Sequence, residues 1–482
     1  MDAFVKTILS ANSWLNGIIW GVPTLILLIG TGLYLSIRTG FIQFRKFGTI
    51  MRNTFGKIFQ KQEKNKGSVT PFQAVSTALA STVGTGNIVG VTGAIALGGP
   101  GAVLWMWVAA FVGMVTKYSE VTLAVKYRER NKEGDWVGGP MYYIKNGLGK
   151  NWKWLAVIFS ILGTFAAIGT GNITQSNTIA MSVNTAIQSF NPDAKKSSAV
   201  ISIAIGAILA VIVGVVVIGG ISRIGAFAEK LVPFMAIIYV VSALIVILGH
   251  IDRLGMAFIA IFKGAFSPSS VMGGAFGVTI VQSMKYGAGR GIFSNEAGLG
   301  TAPIAHAATS ETDPVKQGMY GIFEVFVDTI VICSLTALAV LSSSISKNAS
   351  GEITWSIPWG KNVGSDLTAS AFATVFGNKA ASIIIAACLV LFATTTIVGW
   401  ALYGTRCCEY LFGSKSIPVY RVIYVAMVFF GSTMDLSAVW EISDTLNGMM
   451  MIPNLIAVLG LSGIVIKMTK GQFPNNRLRG RR

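Results

Sequence analysis

The stretch from Ser81 to Gly90, STVGTGNIVG, gathers groups that suit ions of both signs. Gly84 and Gly86 release a helix because they lack the restraint of a Cβ. The N–H groups of Thr85 and Gly86 then open a new half-helix, whose partly positive end suits a carboxylate. The carbonyls that end the preceding half-helix, at Ala80 and Val83, are partly negative and suit a cation. Thr82 and Asn87 add side-chain oxygens of the kind Na⁺ accepts. One interruption thus makes adjoining anion and cation sites. Gly84, Gly86 and Gly90 also have nearly the spacing of a dinucleotide-binding loop. Such a loop needs a strand before it and an acid about 20 residues on. The preceding FQAVSTALAST is helical in composition and the next acid is Glu120, so this reading is set aside.

Further polar groups stand inside apolar runs. TGNITQSNTIA (170–180) carries Asn172, Gln175 and Asn177. Residues three apart share a helix face and residues two apart do not, so Gln175 goes with Asn172 and not with Asn177. They face either a substrate or a neighbouring helix. ATTTIVGW (393–400) offers Thr394, Thr395 and Thr396, with Trp400 one turn beyond Thr396. The hydroxyls either ligate Na⁺ or bond their own i−4 carbonyls. Glu324 and Asp328 lie four apart in another span and suit ion coupling, gating or a structural cluster. Lys117 and Glu120 read as a structural pair.

The elements that hold these groups are membrane spans. The 482 residues are 52% hydrophobic and only 12% charged. A soluble domain carries about twice that charged fraction. Apolar runs near 20 residues recur from end to end. Eleven are counted, at about 14–36, 72–97, 100–125, 153–183, 199–218, 226–249, 267–292, 319–343, 380–410, 417–434 and 446–467. The first is too long for the apolar core of a cleavable signal. Cys333, Cys388, Cys407 and Cys408 lack metal or disulfide spacing. With only His250 and His306 present, an enzyme built on histidine chemistry is disfavoured.

The net charge of +18 reports topology more than nucleic acid binding. Arg38–Lys66 holds eight Lys/Arg and one Glu, Lys126–Lys153 holds seven Lys/Arg, and the chain ends NNRLRGRR. The opposite loops, GGPG at 98–101 and 435–445, hold no Lys or Arg. The positive-inside rule puts the N-terminus outside and the C-terminus in the cytoplasm of a multi-pass cell-membrane protein. The organisation is then residues 1–71 as a leading helix and basic linker, 72–249 and 250–467 as two five-helix blocks, and 468–482 as a basic tail. A block of five makes its second copy enter from the other side, an inverted repeat. Each block should open with a broken helix. SSVMGGAFGVTIVQ (269–282) supplies the second break at 273–277, where carbonyls near Gly274, Ala275 and Phe276 take an ammonium. Placing it instead in RGIFSNEAGLGTAP (290–303) would bury Lys285 and Arg290, at about 2.5–3.5 kcal/mol each. SNEAGLG accordingly reads as a turn at the cytoplasmic face.

GGPGAVLWMWVAAFVG (98–113), GGPMYYI (138–144) and GIFSNEAGLGTAPIAHAA (291–308) resemble the alanine or glycine:cation symporter family, the sodium:alanine carriers. The likeness runs from about residue 14 to 467. It implies an all-α, leucine-transporter-like fold of about eleven spans, a five-plus-five inverted repeat after one extra helix. It also implies Na⁺-coupled import of a small neutral amino acid by alternating access, with the lipid bilayer and the amino acid as partners and no obligate protein partner. On that resemblance the amides of Thr85 and Gly86 hold the substrate carboxylate. Asn172, Gln175, Asn177, Phe276, Gly277 and Trp400 bound its side chain. Ala80, Val83, Thr395 and Thr396 hold sodium, and Thr82 and Asn87 belong to a second ion site.

A bulky Trp400 over the pocket favours alanine or glycine, with glutamine or asparagine as the alternative cargo and a proton as the alternative ion. A channel would need a pore lined by charge or carbonyl rings. A membrane enzyme would need a nucleophile–base pair or a metal cluster, and neither is evident.

Overall fold

The computed structural model describes residues 2–57, 67–267, 279–347, 353–361, 363–434 and 437–473. It is a helical bundle. Among the described residues, nine helices are long and apolar enough to cross a membrane, or ten if one bent pair counts as a single span. The expected opening at 273–277, with Phe276 and Gly277, lies outside the described residues.

Two features mark hydrocarbon as the solvent. The helices Ser198–Ile218 and Gly220–Gly249 turn Val211, Ile218, Phe234 and Ile237 outward, each more than half exposed. The interior meanwhile buries Lys117, Glu120, Glu296, His306, Glu324 and Asp328. Polar groups inside and apolar groups outside is the arrangement a bilayer demands.

The first broken span starts on Thr70, whose hydroxyl accepts from Gln73 N at 3.1 Å while Gln73 Oε1 accepts from Thr70 N at 3.3 Å. This reciprocal cap satisfies donors that a helix start leaves free. The helix Pro71–Thr82 then stops, and Gly84 is fully extended. One tight turn, Thr85–Asn87, leads into Val89–Gly98 at a bend of 59°.

A second broken span faces it. The helix Ile280–Asn295 begins on Thr279, capped reciprocally with Gln282, and ends where Glu296 adopts φ +56°. Gly298 and Gly300 follow at φ +92° and +82°, and Ala302–His306 resumes the helix. The left-handed region suits glycine and costs Glu296 some strain, a feature that clusters at functional sites. The expected cytoplasmic turn at SNEAGLG is therefore corrected: Ser294, Asn295 and Glu296 are buried, and Ser294 and Glu296 line a cavity shared with the first break.

The two spans run antiparallel. A Cβ on Gly98 would lie 3.0 Å from Tyr286 Cβ, whereas one on Gly86 would lie 3.6 Å from Phe293 Cδ1 and Ser294 Cα. Residues 283–286 thus lie level with the end of the first span and 293–294 with its middle. At the other end, Val69 N donates to Ala308 O at 2.9 Å and Ser310 N to Val69 O at 2.7 Å. Lys285 and Arg290 consequently lie toward the Gly98–Gly101 side and not toward the basic linker as expected. They open on a cavity of about 240 Å³ with Asn16, Trp20 and Asp444. A cavity of that size has room for water around both bases and places the Asp444 segment beside them, so the charge cost argued against the other placement is reduced.

Two spans contain turns wider than an α-helix. Lys153–Ile168 and Thr174–Phe190 are joined by the π-helical Gly169–Ile173. Pro314–Val325 and Ser334–Ser344 are joined by the π-helical Phe326–Cys333. Such turns re-aim side chains and recur at functional sites.

The four native cysteines are buried, so engineered thiols can be read above them. Cysteine at Lys285 is expected to react with a membrane-impermeant maleimide from the same face as cysteine at Gly99, and from the face opposite to cysteine at Lys57. Labelling of intact and inverted vesicles measures this; reaction of Lys285→Cys from the Lys57 face would contradict the antiparallel arrangement.

Candidate functional site

Between the two breaks lies a small cavity, of which about 20 Å³ is open to the centre of a water-sized sphere. The first break contributes Ser81, Thr82, Gly84, Thr85 and Gly86, and the second contributes Phe293, Ser294 and Glu296. Thr396 and Trp400 come from the long helix Asn378–Phe412, Thr170 and Gln175 from the first π-helical region, and Asn447 from the helix Ser437–Met449.

Gly84 is there for closeness. A Cβ on it would sit 2.6 Å from Thr396 Oγ1. Likewise a Cβ on Gly399 would sit 2.1 Å from Ser81 Oγ, and one on Gly171 2.3 Å from Trp400 Cβ. Three glycines let the long helix press against both the first break and the π turn. Thr396 Oγ1 donates to Phe392 O at 3.0 Å, which leaves its lone pairs beside the Val83–Gly84 backbone. Thr395 Oγ1 donates to Phe392 O at 2.8 Å and lies 3.4 Å from Met235 Sδ, outside the cavity lining.

Asn87 mends the first break. Its Oδ1 accepts from Gly84 N at 2.8 Å, and its Nδ2 donates to Asp328 Oδ1 at 2.7 Å. The Asp328 carboxylate also accepts from Ser294 Oγ at 2.9 Å and Thr329 Oγ1 at 2.8 Å. Asp328 thereby ties the first break to the second. Thr336 Oγ1 donates to Asn87 O at 2.8 Å.

Lys117 mends the second break. It is fully buried, forms an ion pair with Glu324 at 3.0 Å, and donates to Asn295 O at 2.7 Å. Asn295 is the last residue of the broken half-helix, where a cation complements the helix dipole. Gln317 Nε2 donates to His306 Nδ1 at 2.8 Å, which leaves the proton on Nε2 to be donated to Glu324 at 3.3 Å. The expected Lys117–Glu120 pair is not formed. Glu120 instead accepts from Asn454 Nδ2 at 2.5 Å, because the neighbouring helices bring better partners than its own. Glu296, unsuspected from sequence, accepts from Trp400 Nε1 at 3.0 Å and from Thr301 Oγ1 at 2.5 Å.

The structure brings together Thr82, Thr85, Gly86, Gln175, Thr396 and Trp400 of the residues read from sequence. Ala80 and Val83 are buried at the end of the first half-helix, and Asn87 lies behind the break. Asn172 and Asn177 lie elsewhere. Asn172 Nδ2 donates to Tyr424 O at 2.6 Å, and Asn177 Nδ2 to Met434 O at 3.1 Å. For Asn172 helix periodicity hid this, because it lies in the π turn that ends at Ile173, whereas Asn177 follows the ordinary period and does not share the face of Gln175. Phe293, Ser294, Glu296, Thr170 and Asn447 were missed. The glycines of NEAGLG were the available signal for the first three.

Buried broken helices that meet between apolar spans mark a multi-pass membrane carrier. The chain matches the sodium:alanine symporter family over residues 5–481 and belongs to it. It is 42% identical over 471 residues to the sodium/alanine symporter AgcS of Methanococcus maripaludis, covering 97% of each chain. It is 34% identical over 458 residues to the probable sodium/glutamine symporter GlnT of Bacillus subtilis, covering 94% of this chain and 88% of that one. The fold is similar to that of MhsT, solved in complex with L-phenylalanine, with a TM-score of 0.56 and 13% identity over 85% of this chain and 99% of that one. The chain is thus a transporter of leucine-transporter-like fold.

Removing one partner of a buried ion pair costs about 3–5 kcal/mol. Lys117→Met is expected to lower the stability of the detergent-solubilised protein by that order, read as a large fall in its unfolding temperature. Lys117→Met combined with Glu324→Gln should recover most of the loss. Lys117→Met at wild-type stability would refute the bracing role.

Proposed function

We propose that this protein carries a small neutral amino acid, alanine or glycine, into the cell with Na⁺ by alternating access, its basic face cytoplasmic. One observation carries the reading: residues at the amide end of one half-helix and at the carbonyl end of another line the same small cavity. A zwitterion presents complementary charges to these two ends. The amides of Thr85 and Gly86 receive the carboxylate, and the carbonyls about Phe293 and Ser294 receive the ammonium. Na⁺ binds the carbonyls of Ala80 and Val83 with the hydroxyl of Thr396, and Thr395 supports it from the adjacent position. Thr82 and Asn87, the latter held by Asp328, are the groups nearest a second ion. Gln175 braces the carboxylate end, since its Oε1 accepts from Thr85 Oγ1 at 3.2 Å.

The family to which the chain belongs is named for sodium and alanine, and AgcS carries the same two words. Phe293 and Trp400 both line the cavity, and bulky rings in so small a space favour alanine or glycine over glutamine. Cation and substrate sharing one break gives coupling a physical basis. Na⁺ holds the backbone in the arrangement that presents the amides, and mutual coupling of this kind is typically about 1–3 kcal/mol.

In proteoliposomes, a Na⁺ gradient alone is expected to drive concentrative uptake of labelled alanine, and a pH gradient alone is not. Uptake driven only by the pH gradient would remove the sodium assignment. Gly86→Val should abolish alanine binding while the protein still reaches the membrane, because its branched side chain grows toward Phe293 and Ser294. Retained binding would contradict the carboxylate assignment.

A further inference from the structure

Most polar side chains around the central cavity are already engaged. Gln175 accepts from Thr85 Oγ1 and donates to Thr170 O, each at 3.2 Å. Thr170 Oγ1 donates to Ser443 O at 3.0 Å. Both oxygens of Glu296 accept hydrogen bonds, and Ser294 serves Asp328. Asn447 differs. It is 1% exposed, lines the cavity, and its Oδ1 has no hydrogen-bond partner. Among the described residues lining this cavity, it alone carries a buried side-chain oxygen left unpaired.

Leaving a buried acceptor unsatisfied costs about 1–3 kcal/mol, so an unpaired acceptor at a cavity wall calls for a donor in the cavity, an ordered water or a bound ligand. An amide oxygen accepts and therefore wants a donor. Of the two charged ends of an amino acid, only the ammonium donates. It carries three N–H groups, and the carbonyl end of a single half-helix does not use all three.

The helix that bears Asn447 is fixed to the cavity wall from two sides. Thr170 bonds its Ser443 carbonyl, and a Cβ on Gly169 would overlap Ser443 Oγ at 2.2 Å. On its other side, Trp20 Nε1 donates to Asp444 O at 3.2 Å and Asn16 Nδ2 to Thr445 Oγ1 at 3.0 Å. The π turn and the leading helix together hold Asn447 in register with the two breaks.

We propose that Asn447 Oδ1 is a substrate ligand that accepts a hydrogen bond from the α-ammonium, on the wall supplied by the helix Ser437–Met449. This inference rests on the reading of the cavity as an amino-acid site. It adds a third anchor to the two broken helices and makes the leading helix part of the apparatus that positions substrate.

The test uses full-length protein in detergent or proteoliposomes and measures alanine affinity and, without alanine, Na⁺ affinity. Asn447→Leu keeps the branched shape and removes the acceptor; its alanine Kd is expected to rise tenfold or more with Na⁺ affinity unchanged. Asn447→Asp keeps an acceptor and should stay within threefold of wild type. Should Asn447→Leu fail to reach the membrane, Asn447→Ala is read in the same two assays with the same expectations. Unchanged alanine affinity in the acceptor-free variant would overturn the assignment, as would equal losses in the Leu (or Ala) and Asp variants. An equal fall in Na⁺ affinity without alanine would also overturn it, by giving the oxygen to the ion. In each of these cases wild-type alanine binding leaves the functional reading standing; wild-type protein that binds neither alanine nor glycine removes both.

Discussion

A peptide group inside hydrocarbon must find a partner, and the cost of failing is several kcal/mol. The rest of the structure follows from how two interrupted helices meet that demand. At the first break the Asn87 side chain takes the Gly84 amide, and at the second the Lys117 ammonium takes the Asn295 carbonyl. Residues of both breaks, Thr85 and Gly86 from the first and Phe293 and Ser294 from the second, line one shared cavity.

The two breaks are also one mechanical unit. Asp328 joins Asn87 to Ser294, and the main chains of Val69, Ala308 and Ser310 join the two spans at their other end. A long helix closes against both through Thr396 and Trp400, and Glu296 holds the Trp400 indole by its N–H. A ligand that alters one break therefore acts on the other through short, buried contacts. That is what coupled carriage of two solutes requires of a protein with no covalent chemistry to perform.

Several assignments were legible because they rest on short-range chemistry. Gly84 and Gly86 within an otherwise apolar helix marked the first break, and Thr396 with Trp400 one turn on marked a common face. The second break was misread where solvation was judged from span position alone. Lys285 and Arg290 line a cavity that no linear reading shows. Asn172 was misplaced because an ideal 3.6-residue period was assumed through Gly169–Ile173, where the helix widens, and Asn177 because the resemblance was followed against the period. Lys117 and Glu120 looked paired because they are near neighbours in the chain, yet each found its partner on another helix.

By itself the sequence determined the solvent, the family and the first helix break, since hydropathy, motif and glycine spacing are local properties of the chain. Tertiary structure alone decided that NEAGLG is the break facing the first, that Asp328 and Lys117 mend the two openings, and that Asn447 is left with a free oxygen at the cavity wall. Hydrogen-bond satisfaction in a membrane interior depends on which helices become neighbours, and adjacency across hundreds of residues is not written in any one stretch of them.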